Sequence, residues 1–128
     1  MSELATMTAE QMLQLYASGA ASPIDMLQAV TERVARHNPQ INAFAVMNPQ
    51  ALAAAGESTQ RWRAGRPMGA LDGVPVTVKD LVDIAGLATR RGSRLTDPGA
   101  VADDAPLVLG LKAAGAVIVG KTTTTEYG

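Results

Sequence analysis

The spacing of apolar positions is helical in the first half of the chain and strand-like in the second half. Thr8 and Gln11 form a capping-box pattern that opens a short helix, and Gly19 is placed to end it. A second helix is predicted over residues 23–37, with a serine N-cap, a proline in its first turn and one continuous apolar face. The Asn-Pro pair that follows His37 is expected to stop this helix.

One short extended segment and a third helix are predicted next. Residues 41–47 are apolar and are bounded by Asn-Pro pairs, which indicates a strand or an extended link. Residues 51–64 are rich in alanine and are followed by Gly65, so we expect a helix that ends there.

Two strand-like segments in the second half flank a long connection. In residues 74–80 the valines alternate with Thr77 and Lys79, which predicts a strand with one apolar face. Residues 116–119 form an apolar run typical of strands that are covered on both faces. The connection is loop-rich over residues 83–103 and then helical. We therefore expect a βαβ unit with parallel strands and a right-handed crossover.

The helix of this connection is predicted from its ends. Asp103 and Asp104 are expected to cap it, Pro106 lies in its first turn, and Gly115 ends it. The side chains expected to face inward are Leu107, Val108 and Leu111.

The composition indicates a folded chain with a sparse core. Apolar residues make up 47% and charged residues 18%, which excludes a disordered tail. Because aromatic residues make up only 3%, the core must be built from aliphatic side chains and close alanine contacts. Two strands cannot cover their own faces and edges, so we expect more chain or another subunit to complete the sheet. Uncovered edges would also favour a homo-oligomer.

Charge and residue types exclude several classes of function. The 11 basic and 12 acidic residues nearly cancel, so we expect no direct nucleic-acid partner and no anionic membrane partner. The sequence has no cysteine, which excludes a disulfide framework, a zinc ribbon and a thiol nucleophile, and its single histidine leaves little for a metal site. The N-terminal segment lacks the apolar core of a signal peptide, and no run approaches the ~18 apolar residues of a membrane span. We therefore expect a cytoplasmic protein.

Residues 115–122 match the phosphate-binding pattern G-x-x-x-x-G-K-[ST] letter by letter. A phosphate-binding loop needs a strand before its first glycine and a helix after its lysine. Here Gly115 follows a predicted helix, the next four residues are strand-like, and the threonines from Thr122 onward are a poor helix start. We therefore interpret the segment as a helix end followed by a strand, and not as a nucleotide site.

Lys79 is the strongest candidate for catalysis. In the simpler interpretation it is a surface lysine at a strand end, paired with Asp80 or Asp83. In the functional interpretation it is buried at the carboxyl edge of the sheet, where α/β proteins place their sites and where burial favours a neutral amine. A neutral lysine can accept a proton from a serine hydroxyl.

Three other groups have simpler explanations. His37 lies at a predicted helix end, which suits a structural imidazolium. The three arginines within residues 90–94 could bind an anionic ligand, but such a strip is more often a solvated face. Ser93 and the threonines of residues 122–125 offer hydroxyls, but no base lies near them in sequence, so none is assigned as a nucleophile.

From residue 71 onward the chain resembles the amidase signature family. The matching segments are 71–80 (LDGVPVTVKD), 83–89 (DIAGLAT), 92–93 (GS), 103–108 (DDAPLV), 111–122 (LKAAGAVIVGKT) and 126–128 (EYG). The capped helix at Ser22 and the segment 41–44 (INAF) also resemble the N-terminal region of that family. The resemblance covers nearly all of the chain, but only the N-terminal part of a much longer family domain.

The resemblance implies an α/β fold in which an α/β/α sandwich surrounds a large mixed sheet. It makes residues 1–70 a helical N-terminal region and residues 71–128 the start of the central sheet. It also implies cofactor-free hydrolysis of a small-molecule amide by a Ser–cis-Ser–Lys triad through an acyl-enzyme. In that triad Lys79 would deprotonate the bridging serine, and backbone N–H groups would stabilise the oxyanion.

Two features depart from the family pattern. The segments that carry both family serines lie downstream, so we expect the 128 residues alone to be inactive. Arg90 and Arg91 stand where small or polar residues are common, which changes the expected substrate contacts.

Two alternative functions stay open. The amidase-like subunit of a glutamyl-tRNA(Gln) or aspartyl-tRNA(Asn) amidotransferase shares the same signature. A non-catalytic fragment or interaction module would keep only the N-terminal edge of the fold, and cooperative unfolding of the isolated chain would favour it.

Overall fold

The computed structural model of the chain describes residues 3–128. Within them a single 3-10 turn, four α-helices and three β-strands follow one another along the chain. They are the turn Leu4–Thr6, α1 (Ala9–Ser18), α2 (Pro23–Ile41), β1 (Phe44–Met47), α3 (Ala51–Arg63), β2 (Pro75–Lys79), α4 (Pro106–Ala113) and β3 (Val117–Thr122). None of the helices in residues 3–128 is both long enough and apolar enough to cross a membrane.

The three strands form one mixed sheet in the order β1-β3-β2. Strands β2 and β3 are parallel, from the pair Pro75–Val117 to the pair Lys79–Thr122, with α4 in the connection between them. The predicted βαβ arrangement with parallel strands is therefore confirmed. Strand β1 pairs antiparallel with β3, so the N-terminal part of the chain contributes a strand to the same sheet.

Each face of β3 packs against a different apolar cluster, because successive side chains of a strand point to opposite faces. On one face, Val117 and Val119 pack with Leu27 of α2 and Ala55 of α3. On the other face, Ile118 packs in a cluster that also contains Val78, Ile84, Leu87 and Val108. The central strand is thus covered on both sides, as its apolar run predicts.

A β-bulge interrupts the pairing of β2 with β3. Val76 pairs with Ile118, but the next residue, Thr77, pairs with Gly120, so β3 carries one extra residue. A Cβ atom at Gly120 would lie 2.5 Å from the carbonyl oxygen of Val46 in β1. The close approach of β1 therefore requires glycine at this position.

The capping box predicted for α1 is present, and the predicted serine N-cap of α2 also forms one. The Thr8 hydroxyl accepts a hydrogen bond from the backbone N–H of Gln11, whose side chain in turn accepts one from the N–H of Thr8. Ser22 and Asp25 make the same reciprocal pair at the start of α2. The predicted starts of both helices are therefore confirmed.

The predicted end of α2 is wrong by one turn. The helix continues past His37 to Ile41 and contains Pro39, so the exposed His37 imidazole is not at the helix end. Proline removes one backbone donor, but Asn42 adopts a left-handed conformation with φ of 48° and donates its N–H to the Asn38 carbonyl. That C-cap fixes the helix end about one turn later than the Asn-Pro pair indicates.

The predicted cap of α4 is also wrong. Ala105 is the N-cap residue, and no side chain caps the helix. Asp104 instead accepts a hydrogen bond from the N–H of Ala85 and pairs with Lys112 at 2.6 Å.

One of the three side chains expected to face inward from α4 does not. Val108 is fully buried and Leu111 is half-buried against the same cluster, but Leu107 is 58% exposed. Leu107 lies one position before Val108, and a single residue step rotates the side chain by about 100° around a helix. With Val108 directed at the sheet, Leu107 points outward.

Candidate active site

Lys79 is the last residue of β2, and its side chain is exposed. Its carbonyl oxygen accepts hydrogen bonds from the N–H groups of Leu81, at 2.7 Å, and Val82, at 3.1 Å. The chain therefore turns sharply as soon as the strand ends. Lys79 thus stands at the carboxyl edge of two parallel strands, the edge at which α/β proteins build their sites.

The next residue, Asp80, is buried and forms an ion pair with Lys121 of β3. The Lys121 ammonium lies 2.8 Å from Asp80 Oδ1 and is completely buried. It also donates hydrogen bonds to the Ala88 carbonyl, at 3.0 Å, and to the Thr89 hydroxyl, at 2.8 Å. The same carboxylate oxygen accepts a bond of 3.3 Å from the N–H of Arg90. All three protons of the ammonium therefore have acceptors.

The structure departs from one expectation of each interpretation of Lys79. Three ion pairs join the residues that the structure describes, and Lys79 takes part in none of them. The Asp80 carboxylate, which the simpler interpretation gives to Lys79, is occupied by Lys121. The functional interpretation expects Lys79 to be buried. In the structure of residues 3–128, its side chain is exposed.

The sequence match to a phosphate-binding loop has a structural explanation. Gly120, Lys121 and Thr122 all lie within β3 and not in a loop before a helix. Gly115 has a φ of 84° and follows Ala114, the C-cap residue of α4. Because the Lys121 ammonium is buried and paired, it has no proton free for a phosphate, and the interpretation of this segment as a helix end and a strand is confirmed.

A cleft of about 350 Å³ opens beside Asp80 at this edge of the sheet. Its other lining residues are Asn42, Ala45, Arg90, Gly92, Ser93, Arg94, Thr123 and Thr124. Within the described residues, the Thr124 hydroxyl is buried without a hydrogen-bond partner. The cleft is therefore lined mostly by polar side chains and is built by the end of α2, β1, the loop after β2 and the turn after β3.

The three arginines of the loop do not form one free cationic patch. The Arg90 guanidinium donates to the Thr96 hydroxyl at 3.0 Å, and that of Arg91 donates to the Leu81 carbonyl at 3.4 Å. Arg94 is exposed and lines the cleft. Two of the three side chains thus serve the loop itself.

The remaining sequence candidates lie in structural positions. The Ser93 hydroxyl donates to the Glu126 carboxylate at 2.7 Å and accepts from the N–H of Leu95. His37 lines a separate groove on α2, together with Phe44. No three His, Cys, Asp or Glu side chains in residues 3–128 are grouped as a metal site.

Comparison with known protein families identifies the family to which this chain belongs. The amidase family model matches residues 25–128, which include Lys79, Asp80 and Lys121. The chain belongs to the amidase signature family. The lysine at the end of β2 is therefore a residue of an amidase domain, as the resemblance of residues 71–80 implies.

Curated relatives of this amidase chain carry two kinds of name. A glutamyl-tRNA(Gln) amidotransferase subunit of Salinispora tropica is 34% identical over 128 residues, which cover 99% of this chain and 26% of the relative. The indoleacetamide hydrolase of Bradyrhizobium diazoefficiens is 36% identical over 111 residues, which cover 86% of this chain and 21% of the relative. The chain thus spans about a quarter of the length of the curated relatives it matches.

Solved structures confirm the α/β fold. The native peptide amidase from Stenotrophomonas maltophilia matches with a TM-score of 0.91 at 35% identity, over 99% of this chain and 26% of that one. A bacterial aryl acylamidase of the amidase signature family matches with a TM-score of 0.83 at 23% identity, over 98% of this chain and 27% of that one, a likeness that shows the fold alone.

The start of β2 in this amidase chain is fixed by a second buried carboxylate, Asp72. It accepts hydrogen bonds from the Arg61 guanidinium, at 2.6 and 2.9 Å, and from the Ser58 hydroxyl, at 2.6 Å. The backbone N–H of Met68 donates to it at 2.6 Å. Burial alone would raise the pKa of Asp72, but the hydrogen bonds from Arg61 and Ser58 hold it below its ordinary value.

Two aromatic side chains of the N-terminal helices donate to the same turn. The Tyr16 hydroxyl donates to the Gly73 carbonyl at 3.0 Å, and the Trp62 indole donates to the Asp72 carbonyl at 3.1 Å. Burial raises the pKa of Tyr16, so its hydroxyl stays protonated as this hydrogen bond requires. Helices α1 and α3 thereby hold the start of the strand that ends at Lys79.

Sequence reasoning misses both buried ions, Asp72 and Lys121. It presents Lys121 only as part of a phosphate-loop pattern. The sequence nevertheless holds a signal, because Lys121 lies two positions after an apolar run expected to be covered on both faces, where a charge requires a partner. Asp72 lies just before the predicted strand 74–80 and carries no comparable signal.

Proposed function

We propose that the full-length protein hydrolyses the C–N bond of a carboxamide through a Ser–cis-Ser–Lys triad, and that Lys79 is the lysine of that triad. The observation that carries the proposal is the position of Lys79 at the carboxyl end of β2, free of the ion pairs described above. Family membership and the printed names of the relatives, indoleacetamide hydrolase and peptide amidase, support an amide as the substrate class.

Lys79 acts in this proposal as a general base. Its neutral amine accepts the proton of the bridging serine, which in turn takes the proton of the nucleophilic serine. The nucleophile attacks the amide carbonyl, the nitrogen leaves protonated, and water then hydrolyses the acyl-enzyme. Both serines come from later segments of the family domain, and no cofactor takes part.

The proposal is tested by replacing Lys79 in the full-length protein. Lys79→Ala should lower kcat for amide hydrolysis about 100- to 10,000-fold, because the general base is lost. Lys112→Ala is the matched control, because Lys112 is a lysine on α4 whose ion pair with Asp104 is solvent-accessible. The measurement is ammonia or amine release from a panel of carboxamides, with circular dichroism to confirm folding. Lys79→Ala turnover equal to that of the wild type would refute the assignment.

The same assay tests the 128 residues by themselves. We propose that they are inactive, since the segments that carry the two serines in the family lie downstream of this sequence. Amide turnover by the isolated chain that Lys79→Ala abolishes would contradict that statement.

A second candidate function is ammonia transfer within an amidotransferase. It is favoured by the name of the Salinispora relative, a glutamyl-tRNA(Gln) amidotransferase subunit, which matches 99% of this chain. A protein with that role would co-purify with partner subunits and pass ammonia to an acceptor. In contrast, a stand-alone hydrolase would release all of its ammonia to solvent, so comparing released with transferred ammonia separates the two.

A further inference from the structure

The Lys121–Asp80 pair lies directly beneath the residue proposed as the catalytic base. We propose that Lys121 is a positioning residue: its buried ammonium holds the Asp80 carboxylate inside the protein and thereby fixes the direction in which the Lys79 side chain leaves the end of β2. The inference rests on the proposed function of Lys79 and adds to it the residue that orients the base.

The backbone at position 80 is held from both sides. The N–H of Asp80 donates to the Thr122 carbonyl of β3 at 2.9 Å, and its own carbonyl accepts from the N–H of Arg91 at 3.0 Å. The side chain adds the ion pair with Lys121, so residue 80 is fixed at three points. Val78 before Lys79 and Asp80 after it are both buried, so an inward Asp80 leaves Lys79 directed to the opposite side. The exposure of 3% at Asp80 and the exposed Lys79 fit this alternation.

The bulge in β3 is what lets Lys121 reach Asp80. Val78 and Lys121 are paired across the two strands, and Val78 belongs to the same apolar cluster as Ile118. Without the extra residue in β3, strict alternation would place Lys121 on the opposite face from Ile118. Bulges commonly re-aim a side chain in this way next to functional sites.

A buried ion pair by itself is weak evidence for a gain in stability. Moving two charges out of water carries a desolvation penalty that their attraction often only balances. Replacing a buried ion pair by well-packed apolar side chains is often neutral for stability or stabilising. The pair accounts better for a fixed orientation, because it joins β3, the end of β2 and the loop at Thr89 to one ammonium.

The experiment uses the full-length protein and separates orientation from folding. Lys121→Met removes the ammonium, leaves Asp80 buried and unpaired, and should lower both kcat and thermal stability. The double variant Lys121→Met with Asp80→Asn removes both charges and should recover most of the thermal stability. We expect kcat of this folded double variant to stay about 100-fold below wild type with KM little changed, because a displacement of about 1 Å can have that effect. Lys112→Met serves as the matched control and should keep the wild-type kcat.

The outcomes distinguish this inference from the proposal on which it rests. If Lys79→Ala retains activity, the proposed function is wrong. If Lys79→Ala is inactive and the double variant regains wild-type kcat along with its stability, Lys121 is only structural and the positioning role is wrong. Should the double variant fail to fold, Thr89→Val decides, because it removes one hydrogen bond from the ammonium at nearly constant volume. A fall in kcat of about tenfold in Thr89→Val supports the positioning role of Lys121. An unchanged kcat in folded Thr89→Val overturns that role.

Discussion

The Asp72 carboxylate ties α3, the loop before β2 and the start of β2 together in its ionised form. Its pKa in the folded chain lies below the value of about 3.9 expected in an unfolded chain. The folded state therefore binds the proton less tightly than the unfolded state. The resulting stabilisation is fully present above the unfolded pKa and is lost as the pH falls through the folded pKa.

We predict that Asp72→Asn destabilises the full-length protein by about 2 kcal/mol at pH 7, because charge-assisted hydrogen bonds from Arg61 and Ser58 are lost. The difference in stability between variant and wild type should shrink as the pH falls below about 4. Urea unfolding at a series of pH values measures it. Asp103→Asn, at an exposed position, is the control and should unfold like the wild type. A difference that stays constant as the pH falls to about 3 would contradict the linkage to Asp72.

At the residue scale, the sequence makes Lys79 a candidate base but does not show its surroundings. Strand alternation places Lys79 at a strand end, and the resemblance of residues 71–80 to the amidase signature family makes it the residue proposed for catalysis. Asp80 could pair with Lys79 or with Lys121. The bulge in β3 places Lys121 on the face of the sheet where Asp80 lies, far from Asp80 in sequence. A local pattern does not contain this information, because it arises from pairing between two strands that are distant in sequence.

The short helix α4 buries one side chain completely and leaves its neighbour in solvent. We predict that Val108→Ala destabilises the protein by about 2 kcal/mol, because it leaves a cavity in the cluster around Ile118. Leu107→Ala, one position earlier at 58% exposure, should change stability by less than about 0.5 kcal/mol. Thermal or urea unfolding of both variants measures the contrast. Equal losses at the two positions would show that α4 is rotated relative to the arrangement described here.

At the element scale, the starts of helices were more predictable than their ends. Thr8 and Ser22 mark the starts of α1 and α2 because a capping box is a local pattern of side chains. The end of α2 depends on Asn42, which adopts a left-handed conformation and satisfies the Asn38 carbonyl. An internal proline such as Pro39 removes one donor only, so it does not by itself fix where a helix stops.

The sheet of residues 3–128 has β1 and β2 as its outer strands. Outer strands present unpaired backbone groups, and β1 also exposes Val46 and Met47 at 38% each. We predict that the isolated 128-residue chain self-associates, which sedimentation velocity over a range of concentrations would detect. Val46→Lys should reduce the association, because a charge on an outer strand opposes pairing. A chain that stays monomeric and unfolds cooperatively would favour the interaction-module alternative.

The extra residue in β3 also changes the parity of the strand. Ile118 and Lys121 are three positions apart, which is an odd interval. Both nevertheless lie on the face of the sheet that packs against the cluster of Val78 and Ile118. In a regular strand, residues that share a face are separated by even numbers. An odd interval that spans Gly120 is therefore the sequence signature of this inward lysine. A β3 with the same odd interval but without the bulge would direct its lysine toward α2 and α3 and leave the aspartate after β2 without its partner.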